Sequence, residues 1–151
     1  MKKWLWLSLA LVLVLAACSP AAAPGAQITV KDPWGRTSPM VAGAGAFYMV
    51  IENKGSQADK LVGAKSDACG SVELHESFQN ADGTMGMRPV AGGTIDVPAN
   101  GTVELKPGGM HIMCIQKKVD FKEGVTVPVM LQFATAGEMK VTVAIKDMGG
   151  M

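Results

Sequence analysis

Histidine, cysteine and aromatic rings are scarce in this 151-residue sequence. It holds two histidines, three cysteines, one tyrosine and 5% aromatic residues in all. Charged residues make up 18% of the chain, with a formal net charge of +1. Composition therefore gives no basic excess to attract nucleic acid, and none is expected as a partner. No Ser/His/Asp arrangement, paired-carboxylate pocket, HExxH helix or phosphate-binding glycine loop stands out, so the expectation is that the chain is not an enzyme. No stretch keeps a helical period with caps at its ends. Glycine, by contrast, is plentiful at 18 residues, which suits turn-rich β structure. The length fits one domain with a buried core.

The N-terminus reads as a targeting segment. Lys2 and Lys3 precede an apolar run from Trp4 to Ala17 that is short for a bilayer span and ends in small residues. Residues 1–17 are expected to be a signal peptide. Leu15-Ala16-Ala17-Cys18 resembles a bacterial lipobox, which would make Cys18 the lipidated first residue of the mature protein and anchor it to a membrane. Residues 18–26, rich in Ala, Pro and Gly, then form a flexible tether. Loss of residues 1–17 takes Lys2 and Lys3 from the 14 basic residues and none from the 13 acidic ones, so the mature net charge is −1. Attachment would come from the lipid rather than from a basic face. That places the chain on the periplasmic or outer side of a membrane, where a disulfide is permitted. The remaining Cys69 and Cys114 are open to two readings, a disulfide or two separate buried thiols.

From residue 27 to 147 short β segments alternate with turn residues. Strands are expected over Ile28–Lys31, Ala46–Ile51, Lys60–Ala64, Ser71–His75, Met85–Val90, Thr94–Val97, Thr102–Leu105, His111–Ile115, Val125–Phe133 and Met139–Ile145. Pro33 marks an edge or bend, and Asp82-Gly83 a hairpin. This spacing predicts an all-β fold, an antiparallel β-sandwich or barrel. Residues 148–151 read as a frayed tail, with Met148 and Met151 unassigned.

Both histidines lie close to methionine. His75 ends the segment Val72-Glu73-Leu74-His75, and Met87 follows twelve positions later in Met85-Gly86-Met87. His111 stands in Met110-His111-Ile112-Met113. On a strand, residues i and i+2 share a face. His111 and Met113 therefore project together, while Ile112 and Cys114 turn to the core. His75 faces with Glu73, away from Val72 and Leu74, on the side read as solvent. Imidazole plus thioether, without thiolate, favours copper as Cu(I) over zinc or magnesium. Two His and two Met would leave a site of net charge +1. Met85 shares a face with Met87 and stands as its alternative. Met49, Met130 and Met139 sit inside apolar strands and read as core. Glu73 and Glu76 either orient the His75 ring or are solvated charges. Spacing alone does not decide for a metal site, because short metal motifs recur by chance.

At these residues the sequence resembles the periplasmic copper chaperones of the PCu(A)C family. Their signature is a histidine, a methionine beyond it, and a His-x-Met pair further on; His75, Met87, His111 and Met113 match one by one. Glu76 stands where the family often has methionine, and the gap from Met87 to His111 is a residue or two longer than usual. Trp34-Gly35-Arg36, the strand through Tyr48 ending at Asn53-Lys54-Gly55, Val72 to Glu76, Asp82-Gly83 and Pro107-Gly108-Gly109 carry the likeness across the mature domain. The resemblance implies a cupredoxin-like β-sandwich that captures Cu(I) outside the cytoplasm. It also implies delivery to a cuproenzyme, chiefly the CuA centre of cytochrome c oxidase subunit II, by a monomeric metallochaperone. Met87 is preferred to Met85 on family spacing. Two other functions compete: an electron-transfer cupredoxin, which needs a cysteine thiolate and two histidines, and an adhesion or assembly lipoprotein that binds no metal.

Overall fold

Among the described residues the alternating pattern folds as ten strands, with one 3-10 turn. The computed structural model describes residues 25–146. Residues 1–24, with the signal segment and Cys18, and residues 147–151, with Met148 and Met151, lie outside the described residues. The strands are β1 Ile28–Thr37, β2 Gly45–Asn53, β3 Asp59–Lys65, β4 Cys69–Gln79, β5 Met85–Pro89, β6 Ile95–Val97, β7 Gly101–Leu105, β8 Met110–Lys117, β9 Thr126–Phe133 and β10 Gly137–Ile145. A 3-10 turn at Ala91–Gly93 separates β5 from β6.

The hydrogen-bonded order is β5-β4-β8-β2-β1-β10-β9-β3-β6, with β7 also on β2. Strand β2 is where the sheet divides. Its first residues, Gly45 to Phe47, pair with β8, and its last, Met49 to Asn53, pair with β7. β7 and β8 thus follow one another along β2, and residues 106–109 loop out between them. The all-β expectation holds. One pairing departs from antiparallel: β1 runs parallel to β10, with Trp34 opposite Ala144 and Gly35 opposite Ile145. That lets the first and last strands meet side by side without a hairpin.

The core is built from the inward-facing residues of these strands. Phe47, Met49, Ile51, Leu61, Ile112, Cys114, Leu131 and Val143 are buried within it. Removing each large side chain from water contributes about 1.5–3 kcal/mol. Met49 belongs to this core, and Met139 packs partly buried against it. Met130 differs from expectation: it is half-buried and lines a surface groove beside Lys65 and Lys140. Gly35 sits where strands approach closely, since a Cβ there would lie 2.8 Å from Phe47 Cδ1 and 3.0 Å from the Ala46 carbonyl oxygen. The Pro33 signal marks a register shift between Lys31 and Trp34, with Asp32 at φ 49°.

Cys69 and Cys114 form a disulfide, with Cα atoms 5.4 Å apart. It joins the start of β4 to the body of β8. Strict alternation would put Cys69 on the His75 face, away from Cys114. That alternation breaks at this end, where Gln116, packed against Gly70, takes φ 52°.

Candidate metal centre

Strand β4 indexes the site. The sequence reading ended this strand at His75; it runs on to Gln79, because β5 folds back over the Asp82-Gly83 hairpin and pairs with it. Gly83 takes φ 84°, and Asn80 and Thr84 close the turn by backbone hydrogen bonds. On β4's other side runs β8. His75 lies directly opposite His111, Glu73 opposite Met113, and Ser77 opposite Met87. Opposed residues share a face of an antiparallel pair. The four sequence-derived candidates, His75, Met87, His111 and Met113, therefore share one face on three adjacent strands. Met85 shares it too, opposite Gln79. Cys114 does not: it points into the core, bonded to Cys69.

The site is less open than the sequence reading expected. His111 is 2% exposed, Met113 3%, and the His75 side chain 13%. The reason is lateral. β8 has strands on both sides, and the Tyr48 ring on β2 lies 6.2 Å from that of His111, with Trp34 stacked 4.5 Å behind Tyr48. The face first read as solvent is a half-closed wall.

The two histidines present one unprotonated nitrogen each. His111 Nδ1 is 3.0 Å from the Gly109 carbonyl oxygen. A carbonyl only accepts, so Nδ1 carries the proton and donates it, which leaves Nε2 bare. His75 Nε2 is 2.9 Å from Glu73 Oε2. The carboxylate accepts, so Nε2 donates and Nδ1 is bare. His75 Nδ1 and His111 Nε2 are both buried and have no hydrogen-bond partner among the described residues. A buried polar atom without a partner calls for an explanation, and a metal-ligating role is one. The ring centroids stand 6.0 Å apart at 62°. An imidazole nitrogen holds an ion such as zinc at about 2.0 Å, a reach that would let rings at this separation share an ion if both nitrogens turn toward it.

Burial is the chief cause holding His111 below the usual imidazole range; the nearby His75 adds to it, and the Gly109 hydrogen bond opposes it. The ring is thus neutral and available to a metal at pH 7. Among the described residues no three His, Cys, Asp or Glu side chains converge. A metal here would complete its shell from the thioethers.

Two contributors were missed from sequence. The Gly109 carbonyl accepts from Ser77 N as well as from His111, so the turn Lys106–Gly109 fixes both the β4 contact and the His111 tautomer. Its visible signal was Pro107-Gly108-Gly109, with Gly108 at φ 75°. Tyr48 carries no sequence signal beyond its place in a strand, yet its ring walls the site.

Residues 28–145 match the family described as "Putative lipoprotein LpqE-like". "Putative lipoprotein Lxx21020" of Leifsonia xyli subsp. xyli is 35% identical over 111 residues, covering 72% of this chain and 66% of that protein. "Uncharacterized protein RP573" of Rickettsia prowazekii is 33% identical over 99 residues, 61% of this chain and 51% of that protein. The chain spans less than two thirds of the length of these relatives. Among solved structures, the apo PCuAC domain from PmoF1 superposes with a TM-score of 0.66 at 26% identity, over 81% of this chain and 95% of that one. The solution structure of Cu(I)-bound DR1885 from Deinococcus radiodurans gives 0.59 at 30% identity, over 87% and 84%. Matched from its first strand to its last, the chain belongs to the LpqE-like family and has the fold of the PCuAC domains.

Proposed function

We propose that this domain is an extracytoplasmic Cu(I) metallochaperone. It binds one ion through His75 Nδ1, His111 Nε2 and the thioethers of Met87 and Met113. The observation that carries the reading is the pair of bare, buried ring nitrogens on directly opposed residues. Soft thioethers beside them select Cu(I), and neutral donors leave the site at +1. The Cu(I)-bound DR1885 relative supports the choice of metal. The disulfide argues against an electron-transfer cupredoxin, since it takes Cys69 and Cys114 out of use as thiolates. The chain acts as a monomeric carrier without turnover.

The lipoprotein descriptions of the family and of the Leifsonia relative support lipidation at Cys18 and an anchored, extracytoplasmic location. The acceptor in this reading is a cuproenzyme, with the CuA centre of cytochrome c oxidase as the specific candidate. Among the described residues no helix is long and apolar enough to cross a membrane.

Titration of the purified protein against a Cu(I) chelator tests this reading. One Cu(I) per chain is expected, and His111→Ala and Met113→Ala should each lose that affinity. Unchanged affinity in both variants would sink the ligand assignment. An intense blue oxidised protein would favour the cupredoxin, and no copper uptake at all would favour the adhesion lipoprotein.

A further inference from the structure

Exposure rises along the row of soft donors. Met113 and His111 are closed in, His75 is slightly open, Met87 is half-buried and Met85 is 44% exposed. The row is diagonal. Met113 lies opposite Glu73, His111 opposite His75, Met87 opposite Ser77 and Met85 opposite Gln79, so each step moves two residues along β4. The closed end abuts β2, where Ala46 pairs with Met113 and Tyr48 stacks near His111. The open end is β5, which has β4 on one side and no strand on the other among the described residues.

Met85 has no packing role that accounts for it. It is exposed, and it does not belong to the core cluster or to the side chains packed against that cluster. Yet its thioether sits on the ligand face one step outward from Met87. Two methionines at i and i+2 on a strand extend from the same side, and the long, flexible side chain of Met85 can swing toward the ion that Met87 holds.

We propose that copper enters and leaves at the β5 edge and that Met85 is the exchange ligand there. Met87, His75, His111 and Met113 set the equilibrium affinity; Met85 sets the rate of transfer. In the exchange one neutral donor bonds the ion as another lets go. The ion stays Cu(I), and no proton or electron moves. The matching donor or acceptor is a soft-ligand Cu(I) site able to reach an open strand edge. This inference rests on the copper-binding reading above.

Met85→Leu tests it, because leucine keeps the volume and apolarity while removing the sulfur. Met40→Leu is the control, an exposed methionine in the β1–β2 loop. Equilibrium affinity is measured by competition. The transfer rate to bicinchoninate is measured by stopped flow; this flat bidentate chelator is too bulky for the closed end. Met85→Leu is expected to keep wild-type affinity and to slow transfer about tenfold, with Met40→Leu unchanged in both. Wild-type transfer in Met85→Leu overturns the proposal. So does an affinity loss matching that of Met87→Leu, which would make Met85 an equilibrium ligand. A wild-type protein that takes up no Cu(I) overturns the copper reading itself, an outcome distinct from both.

Discussion

Glu73 decides which nitrogen of His75 is left without a partner. Its Oε2 accepts from Nε2–H at 2.9 Å, so Nδ1 is left bare. Carboxylates that orient a ligating histidine typically change metal affinity about 10–100-fold when removed. Glu73 is 45% exposed at its side chain, so solvent weakens the contact and the low end of that range applies. Glu73→Ala should therefore weaken Cu(I) binding about tenfold. In the apo protein its ¹⁵N spectrum should show His75 losing its single-tautomer signature. An unchanged tautomer would assign Glu73 to the solvated face instead. The sequence offered both roles for Glu73, because strand spacing places the two side chains on one face but gives no distance between them. For Glu76 the structure gives a different partner: its Oε1 takes a hydrogen bond from Arg88 Nε at 2.8 Å.

Asp59, at the start of β3, ties that strand to the turn between β9 and β10. Its carboxylate accepts from the backbone N–H groups of Lys60, Thr135 and Ala136 at 2.7–2.8 Å. Burial alone would raise its pKa, yet these donors outweigh burial and hold the carboxyl below its ordinary value. A lowered folded pKa stabilises the fold above the unfolded value of about 3.9. That contribution is lost as pH falls through the lower folded value. Asp59→Asn should cost about 1–3 kcal/mol of unfolding free energy at pH 7. The difference from wild type should shrink as pH falls below the unfolded value of about 3.9, read by denaturant melts. A variant gap that stays constant through acid unfolding would contradict the linkage. The strands β3, β9 and β10 were legible as alternating runs. The Asp59 contact was not, because it joins residues 76 and 77 positions apart.

The disulfide closes a loop of 45 residues around β4 to β8. In the chain-entropy account a loop of that length is worth about 4 kcal/mol. Cys69→Ala with Cys114→Ala should lose stability on that order. It should still bind one Cu(I), because Cys114 points away from the ligand face. Lost copper stoichiometry in a variant that remains folded would show that the disulfide shapes the site directly. The sequence made the all-β fold and the His111/Met113 pairing readable, since alternation is local. It left the disulfide open because the pairing depends on an irregularity near Gln116. It also misjudged the depth of the site, because cross-strand neighbours such as Tyr48 carry no local signal at His111. The three strands bearing the ligands are held in register by β4 rather than by the chain that joins them. Between Met87 and His111 that chain runs through the 3-10 turn at Ala91–Gly93, then β6, which pairs with β3, and β7, which pairs with β2. Gly92 and Gly93, at φ 75° and 69°, make that turn a loop able to take up extra length. Residues inserted there would lengthen the path from β5 to β8 and leave His75, Met87, His111 and Met113 where the pairing with β4 sets them.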